Sequence, residues 1–348
     1  MTAFTYRWNL TDLRHVEKNG LNVFSCFAGG GGSTMGFKMS GYTVIGCNEI
    51  DPQMMAVYRL NHNPKYSFLE PIQTFKERTD LPSELFNLDI LDGSPPCSSF
   101  SMAGNRETDW GSKKKFREGQ KEQVLDDLFF HFIKLADKLK PKVIMAENVK
   151  GMLVGNAKGY VKQIIQAFKD SGYIVQLFLL NAASMGIPQK RERVFFIARK
   201  NELNWPDLVL KFNEKPIPCK EVFMESGTTS RHLTDLSRGH WKRCPPGKPF
   251  SSITKDGSWF GAVKVDPNVP ASTIIAAGYR SGCGLFHPTI PRKLYNEEHI
   301  LLSSFPMDYN FTGIKQPIYQ MGMSVPPLMI HKIVNEIIKQ WFNQGEKE

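Results

Sequence analysis

A cysteine behind two adjacent prolines is the residue of this sequence best suited to covalent chemistry. Cys97 follows Pro95 and Pro96, and an apolar run over 85–91 predicts a buried strand just before them. The prolines fix the backbone of the turn, so the thiol lies on a stiff loop at a strand end. Open α/β sheets bind their ligands at such ends. Because a lone cysteine is more often a small buried hydrophobic residue, its assignment as a nucleophile depends on the rest of the sequence.

A glycine-rich turn after the first predicted strand is the second candidate for chemistry. Strand 21–27 runs into the segment 28–32, which contains four consecutive glycines. Such a turn exposes backbone amides at a helix N-terminus and lets a ligand approach closely. The spacing does not fit the G-x-G-x-x-G pattern of dinucleotide sites, and a plain strand–helix connection is the alternative. Glu49, at the end of the second strand, is of the type that binds ribose hydroxyls, so the pair predicts a nucleoside-containing cofactor without a pyrophosphate.

The order of the predicted elements places both candidates on one fold. Strands alternate with helices up to Arg199, which predicts an α/β fold: a Rossmann-like, mostly parallel sheet with helices on both faces. After Arg199 the prolines, glycines and tryptophans become frequent, and helical periodicity is lost until about Tyr295. We therefore predict a discontinuous catalytic and cofactor-binding domain over 1–199 and 288–348, and a smaller loop-rich domain over 200–287.

The composition narrows the classes of function. The 348 residues carry 44 Lys and Arg against 34 Asp and Glu, and the net charge of +10 favours a polyanionic partner. The six cysteines are scattered without a C-x-x-C pair, which argues against a zinc site and a disulfide scaffold and fits a reducing, cytoplasmic setting. The first 20 residues do not resemble a signal peptide, and no run is apolar enough to cross a membrane.

Five segments in a fixed order resemble the cytosine-5 DNA methyltransferases of bacteria and their phages. These segments are 27–32, 48–51, 95–97, 147–149 and 189–193. Each is weak evidence alone, but each adjoins a predicted strand and all follow the family's order and spacing. The resemblance covers about 21–199 and resumes near 290–330. Within it, the region between 193 and 292 corresponds to the family's target-recognition domain.

The resemblance implies methyl transfer from S-adenosyl-L-methionine to carbon 5 of a cytosine in duplex DNA, with S-adenosyl-L-homocysteine as product. Carbon 5 is a poor nucleophile, and attack of the Cys97 thiolate on carbon 6 makes it enamine-like. Glu147 is the candidate acid at ring nitrogen 3. By resemblance Arg193 contacts the target base and Arg191 belongs to the same cluster. The alternatives are a helix-capping carboxylate for Glu147 and surface charge for the arginines.

The resemblance also assigns the residues that bind the cofactor, and no metal ligand. They are Phe27, Ala28, Gly29, Gly30, Gly31, Gly32, Glu49, Ile50, Ile72, Ser94, Pro96 and Ser324. Two positions depart from the family's pattern. Where the family often has an acid that contacts adenine, this sequence has Glu70 and Pro71, so either Glu70 substitutes or the contact is lost. Where the family favours asparagine, Met323 offers no hydrogen-bond donor.

Double-stranded DNA is the expected partner. A cytosine in a duplex must be flipped out of the stack before it can react, which calls for an element that closes over it. The basic segment 98–122 suits a closing loop that contacts phosphates, and a solvated charged loop is the alternative. A second basic segment, 231–243, lies in the small domain, which by resemblance reads the DNA sequence. We expect a monomer and leave open a separate cognate restriction endonuclease in the cell.

Two rival functions remain open at this point. The first is methylation of a transfer-RNA cytosine by the same machinery, although the separate basic domain favours DNA. The second is a DNA-binding protein with a decayed active site, for which Met323 is the argument. A dinucleotide oxidoreductase is disfavoured by the glycine spacing and by the combination of Cys97 with Glu147.

Overall fold

The computed structural model describes residues 4–96, 113–114, 123–124, 127–154, 157–228 and 232–343. Two compact units account for the chain. One is formed by Glu17–Leu180, Glu192–Leu210 and Ile333–Glu348, and the other by Met1–Val16, Asn181–Arg191 and Lys211–Lys332. None of the helices in the described ranges is long and apolar enough to cross a membrane.

Eleven strands and nine α-helices are present in the described ranges. The strands are β1 (Asn22–Cys26), β2 (Thr43–Glu49), β3 (Tyr66–Leu69), β4 (Ile90–Gly93), β5 (Lys113–Lys114), β6 (Gln123–Val124), β7 (Val143–Val149), β8 (Tyr173–Asn181), β9 (Glu192–Lys200), β10 (Ala262–Lys264) and β11 (Gly284–Phe286). The helices are α1 (Gly32–Met39), α2 (Pro52–His62), α3 (Ile72–Phe75), α4 (Leu128–Leu139), α5 (Ala157–Asp170), α6 (Asp235–Arg243), α7 (Asn296–Leu302), α8 (Pro317–Met323) and α9 (Pro327–Ile337).

A seven-stranded sheet is the centre of the first unit. Its strand order is β3-β2-β1-β4-β7-β9-β8. The pairs from β3 through β7 are parallel, whereas β7 and β9 are antiparallel. Parallel neighbours align their carboxyl ends, so the residues that follow β1, β2, β4 and β7 lie at one edge.

Helices cover both faces of this sheet. Phe24 and Cys26 of β1 point into a core that they share with α3, α4 and α5. On β2, Cys47 packs instead with Met55 and Tyr58 of α2. Successive side chains of a strand point to opposite faces, so both faces are apolar and buried. The predicted fold class, a mostly parallel sheet with helices on both faces, is confirmed.

The strand predicted over 85–91 is wrong in its bounds. Ser83–Phe86 forms a 3₁₀ turn and β4 begins only at Ile90. Asp89 interrupts the run, because its carboxylate accepts a hydrogen bond from the backbone of Asn22 and pairs with Lys142. Leu85 and Leu88 are buried without belonging to a strand and Phe86 is exposed, so periodicity alone could not place the strand.

The second unit contains α6, α7, α8, β10 and β11, with β10 and β11 paired in parallel. Helix α6 lies where helical periodicity is missing from the sequence. Its first turn is capped by the side chain of Thr234, and its buried residues are Ser237 and His240 rather than an apolar stripe. By the contacts between residues, 288–332 belong to the same unit as 211–287. The sequence analysis instead assigned 288–348 to the catalytic and cofactor-binding domain. The predicted domains were drawn from the change in composition after Arg199, and their bounds stay a prediction.

Candidate functional site

The backbone conformation of the turn between β1 and α1 requires glycine at residue 31. Gly31 has φ of +83°, a left-handed conformation, and a Cβ atom there would overlap Nε2 of His62. That nitrogen lies 3.3 Å from the carbonyl oxygen of Gly30. Burial lowers the pKa of His62 to about 3, so the ring stays neutral. No motif in the sequence marked His62, which α2 brings under the turn.

The carboxylate of Glu49 holds the turn from the neighbouring strand. Its Oε2 accepts a hydrogen bond from the backbone N–H of Gly29 at 2.8 Å. Its Oε1 accepts from the N–H groups of Ile50 and Asp51, each at 2.8 Å. Burial raises the pKa of Glu49, and the backbone N–H bonds oppose that rise. Since a carboxylate accepts about four hydrogen bonds, these three leave capacity for a ligand hydroxyl.

The segment that departs from the family's pattern is fixed by other contacts. Oε1 of Glu70 lies 3.0 Å from Nη1 of Arg78, so an ion pair already engages this carboxylate. Ile72 begins α3 with its side chain buried in the core. Phe27 is half-buried, with its ring centroid 6.2 Å from that of Phe132.

The loop that leads to the predicted nucleophile is anchored from β7. After β4 the chain continues through Ser94 to Pro96. Nδ2 of Asn148 donates to the carbonyl oxygen of Pro95 at 3.0 Å, and its Oδ1 accepts from the N–H of Val149. Asn148 is buried, so this pairing satisfies a group that would be costly to leave unpaired. Cys97 itself lies outside the described residues, and its role stays a prediction.

Glu147 and Arg193, predicted from separate motifs, lie together at the ends of β7 and β9. Nε of Arg193 is 2.8 Å from Oε1 of Glu147, and the side chains are only 14% and 12% exposed. Nη1 of Arg193 also donates to the carbonyl oxygen of Glu192. Burial lowers the pKa of Arg193, and the carboxylate of Glu147 opposes that change. A buried guanidinium that hydrogen bonds hold in one orientation, next to a carboxylate, could bind the polar edge of a base.

Arg191 has a different environment. It is buried, and its Nη1 and Nη2 donate to the carbonyl oxygens of Ile274 and Gly322, each at 3.0 Å. A Cβ atom at residue 322 would overlap the backbone nitrogen of Ala276, so glycine is required for this close approach. These contacts tie three distant segments of the second unit together. The predicted membership of Arg191 in the catalytic cluster remains a prediction.

Ser324 caps the C-terminal end of α8. Its backbone N–H and its Oγ both bond to the carbonyl oxygen of Gln320, at 3.0 and 2.9 Å. Met323 beside it is 46% exposed. The assignment of Ser324 to the cofactor remains a prediction.

The two basic segments are described only in part. Of 98–122, the structure describes the backbone of β5, which pairs antiparallel with β6. The rest lies outside the described residues, as does Arg231 at the start of the second segment. Within the remainder of that segment, Asp235–Arg243 forms α6, which exposes Arg238, Lys242 and Arg243 together with the apolar Leu236.

Comparisons with known proteins agree on one family. The profile of the family described as C-5 cytosine-specific DNA methylase matches residues 21–339. The Type II methyltransferase M.FnuDI of Fusobacterium nucleatum is 35% identical over 365 residues, which cover 94% of this chain and 96% of that protein. The Type II methyltransferase M.NgoFVII of Neisseria gonorrhoeae is 28% identical and covers 95% and 90%.

Solved structures share the fold at lower identity. A prophage-encoded protein of E. coli superposes with a TM-score of 0.70 at 19% identity, covering 92% of this chain and 99% of that one. The DNMT2 protein of Spodoptera frugiperda superposes with a TM-score of 0.65 at 19% identity, covering 92% and 100%.

Proposed function

Because the chain belongs to the C-5 cytosine-specific DNA methylase family, and so is a DNA cytosine-5 methyltransferase, we propose that S-adenosyl-L-methionine is its methyl donor. Two observations support the fit of this donor to the edge of the sheet. The turn at Gly31 leaves no room for a side chain, which brings backbone amides within reach of a ligand. Glu49 is buried and oriented by three backbone N–H groups, with capacity left for a ribose hydroxyl. When bound, the donor supplies an electrophilic methyl group.

The ion pair of Glu147 with Arg193 carries the proposed mechanism. The Cys97 thiolate adds to carbon 6 of a flipped cytosine, and the electron pair of the 5,6 double bond moves toward carbon 5. Glu147 provides a proton at ring nitrogen 3, which offsets the charge that develops there, and Arg193 holds the oxygen at carbon 2. Carbon 5 takes the methyl group, a base removes the proton on carbon 5, the thiolate leaves carbon 6, and ring nitrogen 3 returns its proton to Glu147.

Asn148 contributes by holding the loop. Its bond to the Pro95 carbonyl fixes the backbone two residues before Cys97 in the sequence, and Glu147 is the residue next to Asn148 in β7. Reacting groups held in position avoid the entropic cost of finding each other.

The partner we propose is duplex DNA carrying a specific recognition sequence. The exposed basic face of α6 and the net charge of +10 support contacts with phosphates. The Type II methyltransferases to which the chain is similar suggest a modification enzyme of this kind. Sequence-specific recognition belongs to the region around α6, within the predicted target-recognition domain over 200–287.

Covalent trapping tests the mechanism directly. Fluorine cannot leave carbon 5 as a cation, so DNA with 5-fluorocytosine at the recognition site should stop the reaction at the adduct. We expect a denaturation-resistant protein–DNA species that needs S-adenosyl-L-methionine and maps to Cys97, and that the Cys97→Ala variant does not form. An adduct on another cysteine, or methylation of natural DNA without any adduct, would overturn the mechanism.

Bisulfite sequencing of DNA from cells that express the protein identifies the substrate and the site together. Bisulfite sequencing of the RNA from the same cells covers the alternatives: a transfer-RNA substrate would appear as methylated RNA with unmethylated DNA, and a decayed active site would leave both unmethylated.

A further inference from the structure

A glycine lies on the exposed side of α6, within the helix. Ser237 and His240 are the buried residues of this helix, whereas Gly239 is exposed. Apart from its chain neighbours and the backbone of its own helix, a Cβ atom at Gly239 would meet no atom of the described residues within 4 Å. Glycine is the least favourable residue in a helix interior apart from proline. Packing within the described part of the chain therefore gives no reason for a glycine here.

Basic and apolar side chains surround this glycine. Residues three and four positions apart share a face of a helix. All four residues at these spacings from Gly239 are exposed: Asp235, Leu236, Lys242 and Arg243. Asp235 is the only acid among them, and Leu236 is 61% exposed. The face therefore combines a net positive charge and an exposed apolar side chain with an open centre.

A second exposed apolar side chain stands on a turn that packs against α6. Phe260 is 68% exposed, the largest fraction among the exposed large hydrophobic residues of the described ranges. Trp259 before it has φ of +66°, uncommon for an aromatic residue, and its carbonyl oxygen accepts from the N–H of Ala262 at 3.0 Å. The ring centroid of Trp259 lies 4.9 Å from that of His240 in α6. The turn therefore presents Phe260 to solvent next to this helix.

Duplex DNA is the partner that fits this surface best. We call Leu236, Gly239, Lys242, Arg243 and Phe260 the α6 surface. Its positive groups match phosphates, and its apolar side chains match the edges and steps of base pairs. A glycine at its centre lets a ligand approach the helix backbone closely. An acidic protein would match the charge as well, so the test must separate the two partners.

We propose that the α6 surface packs directly against the base pairs of the recognition sequence, with Gly239 at the point of closest approach and Phe260 as an apolar contact with the bases. This rests on the proposed function, in which the partner is duplex DNA with a specific sequence. Phosphate contacts support specific and non-specific binding alike. Contacts with bases add only to the specific complex. Gly239 and Phe260 therefore determine specificity, whereas the basic residues supply general affinity.

The test is the ratio of specific to non-specific DNA affinity. Fluorescence anisotropy measures both affinities in the presence of S-adenosyl-L-homocysteine. One duplex carries the methylated sequence identified by bisulfite sequencing, and the other carries a scrambled sequence. Gly239→Ala and Phe260→Ala should each lower affinity for the specific duplex by about tenfold, the order of the loss from one mismatched base pair. Affinity for the scrambled duplex should stay within about twofold, because phosphate contacts are kept.

Two further measurements accompany the affinities. Neither substitution removes a charge, so the slope of log affinity against log salt concentration should stay unchanged. Gly239→Ala should raise the melting temperature by about 1–2 °C, because alanine favours the helix and the position is open. A lower melting temperature would show that the fold itself requires this glycine, and it would overturn the proposed role of Gly239.

Each variant has a matched control. Gly159 is an exposed glycine of α5, and a Cβ atom there also meets nothing within 4 Å among the described residues outside its own helix. Gly159→Ala should raise the melting temperature as well and leave both affinities unchanged. Phe86 is another exposed phenylalanine, 49% exposed and placed in the other unit. Phe86→Ala should leave both affinities unchanged.

The unmodified protein separates failure of this proposal from failure of the proposed function. If it prefers the specific duplex and either Gly239→Ala or Phe260→Ala keeps that preference in full, the proposal is overturned, and the α6 surface is left to another partner such as an acidic protein. If the unmodified protein shows no preference between the two duplexes, the proposed sequence-specific partner itself is wrong.

Discussion

Nε of Arg193 lies 2.8 Å from Oε1 of Glu147, across the antiparallel pair β7 and β9. The two residues come from motifs that stand far apart in the sequence, and the register of the two strands brings them together. In the proposed mechanism, a base that enters this site shares or replaces their mutual hydrogen bond, and their contact links recognition of the cytosine to the supply of a proton.

Glu147→Gln should lower the single-turnover rate by about 10²–10⁴, the usual contribution of a general acid. The amide keeps the shape and a hydrogen bond but has no proton to transfer. Glu192→Gln is the control, because Glu192 is a partly exposed carboxylate paired with Lys150, and it should retain near-normal rates. A loss below tenfold in Glu147→Gln would mark the residue as structural.

Gly31→Ala should abolish cofactor binding for two reasons. The added Cβ would overlap the buried ring of His62, and the φ of +83° at this residue is unfavourable for alanine. Gly29→Ala is the matched comparison. Its φ of +51° is also left-handed, but a Cβ there meets no atom within 4 Å, so the effect should be smaller. Calorimetric titration with S-adenosyl-L-homocysteine measures both. Equal losses in the two variants would show that backbone strain, not His62, sets the requirement.

The stability of the protein should depend on pH through Asp92, a buried residue of β4. Its pKa rises from 3.8 to about 7 on folding, so the contribution of the neutral group is complete below pH 4 and is lost as the pH rises toward 7. A change of this size corresponds to about 4 kcal/mol at most.

Asp92→Asn removes this dependence. The melting temperature of the variant relative to the unmodified protein should therefore rise between pH 5 and pH 8. If the melting temperature of the variant minus that of the unmodified protein stays constant or falls across this range, burial does not disfavour the charged form of Asp92.

Removing charge from α6 should weaken the salt dependence of DNA binding. Arg238 and Lys242 are exposed on this helix. If both side chains neutralise phosphates, the double variant Arg238→Ala, Lys242→Ala should reduce the slope of log affinity against log salt concentration by about 1.8. Lys162→Ala, on the exposed side of α5, is the control and should leave the slope unchanged. A slope unaffected by the α6 variants would place that helix away from the DNA backbone.

The sequence determined the fold class and the order of the motifs. Alternating strands and helices, the proline-fixed loop before Cys97 and the glycine turn after β1 are local features, set by propensity and backbone sterics. The same local logic failed in two places. The strand over 85–91 was displaced by the contacts of Asp89, and α6 was missed because capping and a polar buried face hold it.

Only the tertiary structure decided which side chains support the motifs. His62 lies under Gly31, and Asn148 holds the carbonyl of Pro95. Each of these contacts joins residues on different elements. They depend on strand register and on helix packing, which the pattern of one segment does not contain. The sequence by itself therefore determined which groups are available for the chemistry, and the tertiary structure decided how each is held.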